Sequence, residues 1–193
     1  MARVTTLQSR LGTAFLWRAG PAAIAALVIT FSRNHSSLVG LSVFAGFALV
    51  SCVVVFVMIA RVPLTGPERI FFGIHAVVTA ISGVIALCTL GGGLSALVLV
   101  LSVWAAVTAA LELYAGYRQN NRALAREWLT VGVFTAILAI SISLFPVNDV
   151  YAVGLFGAYG AILAVYLVIA GLSLRSDDGA SARTTTEERE TSS

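Results

Sequence analysis

Uncharged apolar stretches such as 94–111 and 150–174 leave this chain little chance of folding in water. Each is long enough to cross a bilayer, since a helix rising about 1.5 Å per residue needs roughly 20 apolar residues to do so. Composition enters only as agreement. The chain is 59% hydrophobic and 11% charged, where a soluble domain averages about 25% charged.

Apolar runs bounded by charges or turn residues lie near 14–32, 37–60, 69–90, 94–117, 127–146 and 149–174. They predict an all-α membrane protein of six transmembrane helices. Residues 1–13 form an N-terminal segment with room for an amphipathic surface helix, and 14–175 the transmembrane domain. The sequence after Arg175, SDDGASARTTTEERETSS, has no apolar residue beyond Ala and predicts a disordered tail over 176–193. The first run is interrupted by Arg18 and Gly20-Pro21. Arg18 is expected to snorkel to the interface, and Pro21 to kink the helix or begin it.

Every basic residue is Arg, which with abundant Ala, Val and Gly points to a high-GC bacterial genome. All of them except Arg33 fall on one side of the six runs, so positive-inside retention predicts both termini in the cytoplasm and an inner-membrane location. The same placement explains the net charge of +3 without a nucleic-acid partner. The outer connections are short, and Gly91-Gly92-Gly93 reads as a flexible turn. No clean small-x-small cleavage site follows the first run, so it is read as a helix that stays. Cys52 and Cys88 are expected at depths differing by roughly 15 Å, too far apart for a disulfide.

The six runs group into three hairpins, 14–60, 69–117 and 127–174, with the signs of an internal repeat. Gly20, Gly73 and Gly132 lie just inside the first helix of each pair, following Trp17, Arg69 and Trp128. Each second helix carries an aromatic followed by two small residues: Phe44-Ala45-Gly46, Trp104-Ala105-Ala106 and Tyr159-Gly160-Ala161. Each of these helices ends at an Arg: Arg61, Arg118 or Arg175. The triplets and the run Gly154, Gly157, Gly160 are candidate helix contacts, because small residues let backbones approach in lipid.

On Trp128-x3-Gly132, Phe145-Pro146, Trp104 through Glu112 to Arg118, and Tyr159 to Arg175, the chain resembles the HdeD-like family. The resemblance covers roughly 14–175. It departs most in the first hairpin and at Gly91-Gly92-Gly93, where a proline would be typical. It implies a bacterial inner-membrane protein built from two-helix repeats, with acid resistance described for the namesake. It supplies no catalytic or transport residues.

An ionisable side chain inside a bilayer costs roughly 2.5–3.5 kcal/mol on insertion scales and needs a reason. His75 and Glu112 are the residues read as intramembrane. In antiparallel third and fourth helices both should lie roughly 7–9 Å below the cytoplasmic boundary, where they can meet. Desolvation and mutual pairing act on their protonation in opposite senses, which makes them a candidate proton-responsive pair. The plain alternative is structural: Glu112 reaches Arg69 or Arg118, and His75 caps a neighbouring carbonyl. Leu167 and Cys52 stand at the positions matching Glu112 in the other hairpins, so the repeat itself does not require the charge.

Asp149, after Pro146-Val147-Asn148, reads as a turn residue or helix cap. Arg118, Arg122 and Arg126 recur at intervals of four and, on a short surface helix, would share one face toward lipid headgroups. No phosphate-binding glycine loop, nucleophile elbow, HExxH or metal-ligand spacing is present. The expectation is therefore a non-enzymatic membrane protein with no cofactor, no metal and no catalytic residues. It supports envelope or acid-stress tolerance, with the bilayer, its own copies or another membrane protein as partner. The alternative is a small transporter or channel using the His75/Glu112 contact.

Overall fold

The computed structural model describes residues 2–62, 64, 66–120, 122–144 and 148–191, with side chains from 11 to 175 except at 123. The chain is all-helical, with no strand among the described residues: α1 (Ala2–Phe31), α2 (Ser37–Arg61), α3 (Gly66–Cys88), α4 (Gly93–Arg118), α5 (Arg122–Leu144) and α6 (Asp149–Thr191). Six helices among these residues are long and apolar enough to span a membrane, over Leu11–Phe31, Ser37–Arg61, Gly66–Cys88, Leu90–Arg118, Leu124–Leu144 and Asp149–Arg175. Large apolar side chains such as Phe31, Leu99, Val165 and Ile169 face outward. That surface suits hydrocarbon, where every backbone group has to be satisfied within the helix. Hydroxyls obey the same rule: those of Thr30, Ser42 and Ser82 donate to carbonyls four residues back.

α1 packs most extensively on α6, α4 on α5, and α2 on α3, so the closest packing lies between the predicted hairpins rather than within them. Small residues explain why. Gly12 and Gly171 face each other so closely that a Cβ on either would stand 2.7 Å from the other's carbonyl oxygen. At the α4/α5 contact, a Cβ on Gly132 would lie 3.0 Å from the Leu113 backbone nitrogen. Gly160 and Gly157 of α6 meet Ala22 and Ile29 of α1 in the same way, whereas Gly20, Gly46, Gly73 and Gly154 face open space. Only some of the predicted small-residue contacts therefore bring helices together.

The expected turn at Gly91-Gly92-Gly93 is more ordered than predicted. Leu90–Gly92 forms a 3₁₀ turn, and Gly93 opens α4 at φ 64°, a conformation that favours glycine. Pro21 lies inside α1 and does not begin it. At the opposite end of α1 from Ala2, the Asn148 side chain accepts from the Tyr151 N–H and caps α6. Asp149 instead accepts from the Ser37 N–H and secures the start of α2. α6 continues to Thr191, so the backbone over 176–191 is helical where the sequence predicts a disordered tail, and α1 runs through most of the 1–13 segment; side chains there are described only from residue 11 and up to 175.

Candidate functional site

The two residues singled out by depth are brought together. His75 of α3 and Glu112 of α4 are both buried, with Nδ1 of the imidazole 3.7 Å from Oε1 of the carboxylate. That is ion-pair range and too long for a hydrogen bond. His75 Nδ1 has no hydrogen-bond partner, and its ring stands edge-on to Trp128 at 5.8 Å between centroids. Neither Arg69 nor Arg118 reaches Glu112. Its second oxygen accepts instead from the Thr135 hydroxyl of α5 at 2.9 Å.

Thr135 is a junction. Its single proton serves either Glu112 or the Val131 carbonyl, 2.8 Å away, and its oxygen lies 3.1 Å from the Tyr159 hydroxyl of α6. Glu112, Thr135 and Tyr159 thus form a hydrogen-bonded chain across three helices. Nearby, Trp104 Nε1 donates to Thr79 at 3.3 Å.

Two further charges belong to this cluster, and the sequence reading missed both roles. Arg18 does not snorkel outward: its side chain is 9% exposed and pairs with Glu127 of α5, itself 2% exposed. The guanidinium also lies over the rings of Phe72 and Trp128, 5.6 and 5.9 Å from their centroids. Glu127 is the first residue of the fifth apolar run, 127–146. In the structure α5 begins at Arg122, which carries Glu127 a turn inward and onto the core face. Opposite charges near the starts of separate runs are the available signal, but sequence spacing does not show that α1 and α5 face the same core.

Charge bookkeeping then narrows what the cluster can do. Arg18 and Glu127 neutralise each other, leaving His75 and Glu112. One proton on either of them keeps the core neutral, so the net charge is the same whichever of the two holds it. The space beside them is a cavity of about 30 Å³ reached by Arg18, Ser51, His75, Glu112 and Tyr159. Leu167 lines it as well, so the polar groups come unequally from the six helices. On the side away from the arginine-rich boundary, Phe44, Phe47, Trp104 and Phe156 close the core, with ring centroids 5.1–6.4 Å apart in the contacting pairs.

Arg118, Arg122 and Arg126 do not share a helical face, because α4 ends at Arg118 and α5 starts at Arg122. All three are exposed, and Arg122 and Arg126 lie one turn apart on α5. Cys52 and Cys88 are free thiols. Among the described residues no group of three His, Cys, Asp or Glu side chains is arranged to hold a metal. No family model, curated protein or solved structure matches the chain.

Proposed function

We propose that this is a non-enzymatic inner-membrane protein that supports the cell envelope under acid stress, with the His75/Glu112 contact as its proton-responsive element. The observation that carries the reading is the meeting of Arg18, His75, Glu112 and Glu127 from four helices in one buried cluster. Intramembrane charges are costly and mark function more often than surface charges do. A change in the His75–Glu112 proton count alters the charge of a core that four helices share, and so shifts the balance between packings of the bundle.

The topology proposed with it has both termini in the cytoplasm, on the arginine distribution. A three-hairpin repeat of the HdeD-like kind is supported by the triplet aromatics: Phe44 lies 5.1 Å from Trp104, and Trp104 lies 6.0 Å from Tyr159, centroid to centroid. Arg122 and Arg126 supply contacts for lipid headgroups at the boundary. Assembly with its own copies or another membrane protein belongs to the same reading.

The test is a deletion strain challenged at low external pH, with survival and envelope permeability measured after complementation. Wild type is expected to restore both. Glu112→Gln, present in the membrane at equal level, is expected to restore neither. Full rescue by Glu112→Gln, or no defect in the deletion strain, contradicts the proposal. One observation favours a second reading, a small proton-conducting transporter: the chain from Glu112 through Thr135 to Tyr159 beside a cavity. Proton flux into liposomes that Glu112→Gln abolishes would put that reading first.

A further inference from the structure

His75 Nδ1 is a buried polar atom without a partner, and Glu112 Oε1 stands 3.7 Å from it. Such an atom is costly in a low-dielectric core unless something bonds it. The cavity beside the two residues is about 30 Å³. A water molecule needs about 10–15 Å³ and two to four polar partners. A water about 2.8 Å from each atom spans the gap directly. Ser51 of α2 lines the same space and offers a third partner.

We infer that one water molecule binds in this cavity between His75 Nδ1 and Glu112 Oε1, and that it completes a relay running from His75 through water, Glu112 and Thr135 to Tyr159. The relay joins α3, α4, α5 and α6. The site itself stands on the geometry; its use in sensing protons rests on the function proposed above. Neutral His75 takes part with its proton on Nε2, so that Nδ1 accepts. In the transfer step the Glu112 carboxylic acid gives its proton to the water oxygen, and the water gives one of its own to Nδ1. The products are a carboxylate, an imidazolium and the same water, with no change in net charge. The charged and titratable groups around Glu112 are Arg18 of α1, held by Glu127 of α5, His75 of α3 and Tyr159 of α6. α2 contributes the uncharged Ser51.

The experiment uses the full chain in lipid nanodiscs with ¹⁵N-labelled histidine. Solid-state NMR reads magnetisation transfer from water to His75 Nδ1, and infrared spectroscopy reads hydrogen–deuterium exchange at the Glu112 carboxyl, assigned by Glu112→Gln. Wild type and Ser51→Ala are expected to show the water transfer. Ser51→Leu, which fills the cavity and leaves every charge in place, is expected to lose it and to slow exchange at Glu112 about tenfold. Val55→Phe fills the same space from the next turn of α2 and serves if Ser51→Leu fails to fold. No transfer in wild type, or wild-type transfer in a folded cavity-filled variant, overturns the inference. A water signal in a protein whose Glu112→Gln variant rescues the deletion strain upholds the site and removes the acid-stress function. Absent water with failed rescue does the reverse.

Discussion

The two halves of this bundle solve the same packing problem with different chemistry. Toward the arginine-rich boundary, the core is held by Arg18–Glu127, the His75/Glu112 contact and the Thr135 junction. From the aromatic layer outward it is made of Phe44, Leu41, Leu97 and Val153, with Gly40 pressed against Val153 and Leu97. Lipid gives apolar side chains no reason to leave it for the protein interior, so that second half depends on close fit. The polar half depends on partners that exist nowhere else in the hydrocarbon. It is the half that carries the titratable pair His75 and Glu112, and on the function proposed above it is the half that answers to protons.

The comparison breaks most visibly at Glu127. Replacing it with Ala strands the Arg18 guanidinium and is expected to destabilise the fold by about 3–5 kcal/mol, measured by unfolding in detergent or bilayer. The double variant Arg18→Met with Glu127→Leu is expected to recover most of that loss. In the apolar half, Phe44→Ala removes a fully buried ring from the aromatic layer and is expected to cost about 3 kcal/mol with no change in pH response. The smallest effect lies at the far rim. Asp149→Ala removes the acceptor for the Ser37 N–H and is expected to cost about 1 kcal/mol. A pH-sensitive loss at Phe44 would erase the distinction between the halves.

The spans were legible because hydrocarbon demands long apolar runs, and their predicted ends fall within a few residues of the membrane-length segments, although α1 begins earlier, at Ala2, and α6 runs on to Thr191. Glu112 and His75 were legible as a pair because depth along antiparallel helices can be counted. Arg18 and Glu127 were not. Each sits close enough to the start of its apolar run to pass for an interfacial charge, and their meeting depends on how α1 and α5 are arranged around the core. The preference for α1/α6, α2/α3 and α4/α5 contacts was hidden for a related reason. Gly12, Gly132 and Gly171 mark close approach, while Gly20 and Gly73 look the same in sequence and touch nothing.

The central claim is that Glu112 makes the bundle answer to protons. Its most direct test is the unfolding midpoint of wild type and Glu112→Gln in the same lipid nanodiscs from about pH 5 to 8, on both sides of neutrality. The account predicts that the difference between the two proteins changes with pH, the variant giving the flatter profile. Two parallel profiles, offset by a constant amount across the range, would contradict it.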